Sequence, residues 1–186
     1  KLMKEKIAPE ATIIQRSKLK SMDTFDFSYY GFGQNRAGAI CKALAKLKFV
    51  KHIILKENRL LDYALFNIID LLGARINTIE TLHLGSNKFG RRSVNALSDM
   101  FSIKNKKVVL TTLNLSNANL KDDWGSKLIY SLGNVGKTIT KLDLSSNFLK
   151  DKSAISLSDI VNKTRIQILN LSNNQIGTEG TGAVLL

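Results

Sequence analysis

An eleven-residue pattern recurs six times along the chain, apolar at positions 1, 4, 6 and 11 and closed by an asparagine at position 9 in four of the copies. Its sharpest copy is Ile139-Thr-Lys-Leu142-Asp-Leu144-Ser-Ser-Asn147-Phe-Leu149. The two-residue step from position 4 to position 6 is a strand period, which puts both side chains on one face. Position 9 ends the strand with an amide able to bond backbone groups. Position 11 brings an apolar side chain back beneath it.

The other copies are Met22 to Phe32, which is aromatic-rich with Tyr30 at position 9, Val50 to Leu60, Ile79 to Phe89, Leu110 to Leu120 with Ala118 at position 9, and Ile166 to Ile176. Position 4 falls on Phe25, Ile53, Leu82, Leu113, Leu142 and Leu169, in steps of 28, 29, 31, 29 and 27 residues. A near-constant step over six copies is the mark of a repeat array. Strands are predicted near 22–28, 50–56, 79–85, 110–116, 139–145 and 166–172.

The segments between strands carry helical periodicity. Leu65, Ile68, Ile69 and Leu72 lie on one helical face, with Gly73 as a stop. So do Val94, Leu97, Met100 and Phe101, then Leu128, Ile129 and Leu132, then Ile155, Leu157 and Ile160 or Val161. Small residues recur where each helix begins (Ala37, Ala64, Ser93, Gly125, Ser153, Gly180), allowing helix and strand backbones to approach closely. No such strand–loop–helix unit can bury its apolar face alone, so the units stack into a continuous core, strands inside an arc and helices outside. Residues 1–21 contain a second signal, a helix starting near Pro9 with Ala11, Ile13, Ile14 and Leu19 apolar, placed to cap the first strand. The last repeat, ending Val184-Leu185-Leu186, is incomplete by this measure.

With these features the chain resembles leucine-rich repeat proteins of the long-repeat, ribonuclease-inhibitor-like subclass across residues 22–186. The resemblance implies an α/β solenoid that recognises a protein on its concave strand face. One outcome known in that family is inhibition of an enzyme by covering its active site. The richness in Lys, Asn and Ile also resembles repeat effectors that intracellular bacterial pathogens deliver into host cells.

Composition changes this picture in two ways. The net charge of +13 suggests an anionic partner, so its location matters. Positions 2, 3, 5, 7, 8 and 10 of the template project from the inner face or its rim. Five basic residues (Lys51, Lys56, Arg59, Lys88, Lys141) are balanced there by five acidic ones (Asp23, Asp26, Glu57, Glu80, Asp143). The excess therefore lies on the N-terminal segment, helices and loops, whereas a nucleic-acid groove would have concentrated it. A protein surface of acidic or mixed charge suits this face better than nucleic acid. The residues expected to meet it are Asp26, Tyr29, His52, Ile54, Lys56, Arg59, His83, Lys88, Asn114, Lys141, Asp143 and Phe148, with the main contact in the aromatic first repeat and the charged second and third.

The single cysteine, Cys41, excludes an internal disulfide and favours a reducing compartment. No apolar run approaches the roughly 18 residues of a membrane span, and Lys1-Leu-Met-Lys-Glu-Lys lacks the apolar core of a signal peptide. The cytoplasm is the expected location, or the host cytosol for a secreted effector. No enzyme is expected. Cys41 falls on a helix while His52 and His83 fall on inner-face strand positions, so the sheet separates thiol from base. Two histidines with no cysteine set are a poor metal inventory, and no cofactor motif follows a strand. Two rival readings are the substrate-recognition part of a larger enzyme such as a ubiquitin ligase, and a basic surface that docks on membrane or nucleic acid.

Overall fold

The computed structural model describes residues 22–102, 107–134 and 138–185. The expected N-terminal capping helix lies outside the described residues. Six strands form one sheet in sequence order: β1 (Thr24–Asp26), β2 (His52–Ile54), β3 (Thr81–His83), β4 (Thr112–Asn114), β5 (Lys141–Asp143) and β6 (Ile168–Asn170). Every neighbouring pair is parallel. Six helices alternate with them: α1 (Ala37–Lys46), α2 (Asp62–Gly73), α3 (Arg91–Ser102), α4 (Asp122–Leu132), α5 (Asp151–Val161) and α6 (Thr178–Leu185). This is the α/β solenoid that the sixfold pattern implies.

The register follows from the leucines. Phe25, Ile53, Leu82, Leu113, Leu142 and Leu169 pair across five strand junctions as one row. All but Leu169 are buried beneath the sheet. The position 6 and 11 side chains of the middle repeats, such as Leu55, Leu84, Leu60 and Phe89, fill the layer between sheet and helices. Burying one such side chain contributes about 1.5–3 kcal/mol. In the sixth repeat Leu169, Leu171 and Ile176 are only half-buried. In the first, Phe27, Tyr30 and Phe32 form an aromatic cluster, with Tyr30 stacked on Phe32 at 5.6 Å between ring centroids. Tyr30, at template position 9 where repeats two to five bury an asparagine or alanine, is exposed at this end.

Two helix expectations need correction. Ile155 is exposed; Ala154, Leu157 and Ile160 are buried instead, because their three-residue spacing holds one helical face while 155 and 157, two apart, point to opposite sides. Gly73 does not stop α2 but is its last, buried residue, beside the Met100 side chain of α3.

Neighbouring repeats are fastened by two ladders running in opposite directions. In the first, Asn87 donates to the carbonyls of Leu55, Leu84 and Gly85 and its Oδ1 accepts from the N–H groups of Asn58 and Leu60 in the preceding repeat. Asn147 does the same for Ala118 and Leu120, and Asn174 for Leu149. In the second, the aspartate opening one helix bonds the N-terminus of the next helix. Asp62 accepts from Gly90, Arg92 and Ser93, Asp122 from Lys150 and Ser153, and Asp151 from Gly177 and Gly180. α5 has no side-chain cap of its own, and N–H groups at the starts of α3, α5 and α6 are satisfied from the repeat before.

The third-to-fourth junction departs from both ladders. Arg91 stands where the aspartate would be, and Ala118 where the asparagine would be. Asn119 compensates in part, donating to the Phe89 carbonyl at 3.3 Å, and Asn117 reaches Ser86 Oγ at 3.4 Å.

Candidate functional site

Each strand exposes its positions 3 and 5 on the inner face while position 4 points into the core. Parallel pairing lines these up into rows. One row runs Asp26, Ile54, His83, Asn114, Asp143, Asn170, and the other Thr24, His52, Thr81, Thr112, Lys141, Ile168. Of the twelve predicted contact residues, seven therefore lie in the two rows. Tyr29 and Lys56 follow the strand ends, with the Lys56 ammonium 5.3 Å from the Tyr29 ring centroid. Arg59, Lys88 and Phe148 sit farther out, in the loops leading to the helices. Phe148 pairs with Lys121 in an isolated bridge and lines a groove with Asn119, Lys150 and Gln175.

A feature overlooked in the sequence divides the position 5 row. Asp26, Asn114, Asp143 and Asn170 each turn Oδ1 back to accept from the backbone N–H and the hydroxyl of a serine two residues on, namely Ser28, Ser116, Ser145 and Ser172. The signal was legible as Asp/Asn-x-Ser in four repeats. These side chains are partly committed to shaping their own loops. Asn114 further donates to Asp143 Oδ2 at 3.0 Å. Only repeats two and three lack the motif, carrying Ile54-Leu-Lys56 and His83-Leu-Gly85.

The two histidines are diagonal neighbours, as His52 pairs with Thr81 and Ile54 with His83. His52 Nδ1 is 3.0 Å from Thr81 Oγ1. His83 Nε2 is buried without a hydrogen-bond partner. Burial holds the His83 imidazole below its ordinary basicity, aided by the nearby Lys56 charge and opposed by Asp143 and Asp26. At the sheet's edge Lys51 and Glu80 form an ion pair at 2.8 Å.

Backbone strain points to the same region. Position 8 of every repeat is left-handed, with φ from 50° to 66°. Asn117, Asn173, Ser86 and Ser146 are short polar residues that suit this conformation. Repeats one and two place Tyr29 and Glu57 there, and Arg59 is also left-handed at φ 55°. Long side chains held in this conformation cost on the order of 1 kcal/mol or more each.

Among the described residues no catalytic constellation accompanies these side chains. Cys41 lies on α1, across the sheet from both histidines, and burial raises its thiol pKa, which disfavours the reactive thiolate. Among the described residues no three His, Cys, Asp or Glu side chains gather as a metal site, and no helix is long and apolar enough to cross a membrane.

The Leucine Rich repeat family matches residues 137–158 and 163–184, which are the fifth and sixth repeats. No curated protein matches the sequence. Among solved structures, an internalin from Listeria monocytogenes is similar, with a TM-score of 0.43 and 15% identity over 86% of this chain. The chain spans 56% of that internalin's length.

Proposed function

We propose that this chain is a non-catalytic recognition module that binds a folded protein on its concave strand face, centred on repeats one to three. The observation that carries this reading is the grouping of Tyr29, Lys56, Ile54 and His83. Tyr29 is 62% exposed with a lysine over its ring, and Ile54 and His83 are the position 5 side chains that no serine of their own loop ties down. An exposed aromatic, a cation and an apolar side chain on a rigid sheet are what interface anchors require.

The balanced charge of this face suits a partner of acidic or mixed charge. Covering an enzyme's active site is the action we assign to it, since a concave sheet offers a broad surface and no chemistry of its own. The single half-buried thiol accords with a reducing, cytoplasmic setting.

The test has two stages. Affinity purification followed by mass spectrometry identifies a partner, whose binding is then measured against a variant carrying Tyr29→Ala, Lys56→Glu and Arg59→Glu. The variant is expected to keep its circular dichroism and unfolding midpoint but lose at least tenfold in affinity. Wild-type affinity in a folded triple variant would remove the concave assignment.

A further inference from the structure

Because every strand is parallel and every helix returns antiparallel to it, the solenoid has two unlike edges. At one, strands end and helices begin; at the other, helices end and strands begin. Charge is distributed unevenly between them. The first edge, residues 56–62, 85–92, 115–123, 144–151 and 171–179, carries seven basic residues and six acidic ones. The second, the described residues within 46–51, 74–80, 107–111, 133–140 and 162–167, carries Lys46, Lys48, Arg75, Lys107, Lys163 and Arg165 besides the ion pair of Lys51 with Glu80, its one acidic residue.

Helix C-termini attract cations through their dipoles, which accounts for part of this bias. Arg75 acts in that way, donating to the carbonyls of Leu44 and Leu47 at the end of α1. The other five are exposed, and no ion pair involves them among the described residues. On the same edge, directly after Lys48, Phe49 is 65% exposed, although its neighbours Leu47 and Val50 are buried. An aromatic ring presented to solvent between lysines has no role in the core.

We propose that this helix-end edge docks reversibly on a membrane surface bearing anionic headgroups, with Lys46, Lys48, Lys107, Lys163 and Arg165 supplying the attraction and Phe49 entering the interface. Four of the five cations are lysines, spread over three loops, which suits a diffuse, laterally mobile array of negative charge. A base-reading surface would instead need a groove and fixed donors, and an exposed Phe adds affinity where there is an acyl boundary to enter. The edge stands beside the strand face, so membrane docking leaves that face free; this inference is independent of the partner proposed above.

Vesicle co-sedimentation tests it. The intact chain should bind phosphatidylcholine vesicles containing phosphatidylserine, not pure phosphatidylcholine, with affinity falling as salt rises. Reversing Lys46, Lys48, Lys163 and Arg165 to Glu should reduce binding at least tenfold. The charge-matched reversal of Arg91, Arg92, Lys127 and Lys150 should reduce it less than threefold. Phe49→Ala should weaken binding severalfold without changing its salt dependence. Equal losses from the two quadruple variants would reduce the effect to net charge and overturn the assignment. So would absence of binding at physiological salt, or tighter binding to duplex DNA or RNA that depends on the same four residues.

Discussion

Asp62 Oδ1 accepts two hydrogen bonds from Ser93, from the backbone N–H at 2.8 Å and from the hydroxyl at 2.7 Å, across 31 residues of chain. The first residue of α2 thereby closes the start of α3. Burial opposes ionisation of Asp62, but the bonds from Ser93, Arg92 and Gly90 outweigh it and hold the carboxyl below its ordinary range. Asp62→Ala should destabilise by about 1–2 kcal/mol in chemical denaturation, in line with a lost N-cap. Asp62→Asn, which keeps an acceptor, should cost less. With the folded carboxyl the stronger acid, its stabilisation is present above the ordinary carboxylate pKa and fades as pH falls through the lower folded value. The Asn variant should flatten that acid limb.

The position 9 asparagines are not equivalent. Asn87 serves five backbone groups, whereas Asn58 donates to Phe27 and Lys56 carbonyls and leaves its own Oδ1 without a partner. Orphaning a buried polar group costs roughly 1–3 kcal/mol. Asn87→Ala should therefore cost about 3 kcal/mol or more and Asn58→Ala about 1 kcal/mol. Equal losses would show that the geometry of the ladder is not what stabilises it.

Gly85 occupies the place of the loop serines because there is no room for a side chain. An added Cβ would stand 2.7 Å from Asn114 Oδ1 and 2.9 Å from the Ser116 carbonyl oxygen. Gly85→Ala should destabilise by about 1–3 kcal/mol, as overpacking does, and displace the Asn114 turn next to His83. Urea unfolding, with amide chemical shifts for residues 114–116, reads both effects.

His83 gives the strand face a pH response. Its folded imidazole is less basic than the free value of 6.5. On acidification the unfolded chain takes up the proton first, so stability falls as pH drops from about 6.5 towards the folded pKa and rises with pH through the same window. His83→Asn should remove that component. Lys56→Gln, which takes away the neighbouring positive charge, should raise the His83 titration midpoint measured by NMR. An unmoved midpoint would contradict the electrostatic account.

What could be read from residues alone was the part set by local periodicity. The spacing of Leu82, Leu84 and Phe89 dictates strand, reversal and core, and Leu65 to Leu72 dictates a helical face. What was not legible depended on a partner about thirty residues away. Asp122 opens α4, where its own helix dipole would suffice to explain an acidic residue, yet it bonds the backbone of Lys150 and Ser153. The unlike roles of Asn58 and Asn87 depend on which neighbouring N–H groups turn towards them. Ile155 misled because it is apolar yet two residues from Leu157, which puts it on the opposite side of α5 from the face of Ala154, Leu157 and Ile160. At the strand face, the rows of Asp26 to Asp143 and His52 to Lys141 followed from the template. The outward placement of Arg59, Lys88 and Phe148 did not, since loop conformation beyond position 8 carries no fixed period.

Arg91 and Ala118 leave one joint of the array without either ladder. Junctions two–three, four–five and five–six are stitched from both sides, so opening any of them exposes several polar groups at once. The third and fourth repeats share strand pairing and a packed core, with single side-chain bonds from Thr111, Asn117, Asn119 and Lys127 in place of the stitches. In a quasi-one-dimensional molecule, cooperativity is set by its weakest coupling. Repeats one to three, which hold the Tyr29–His83 cluster, can therefore breathe as a block distinct from repeats four to six. Hydrogen exchange should reveal a step in protection between Phe89 and Leu120, and Ala118→Asn with Arg91→Asp should merge the two blocks.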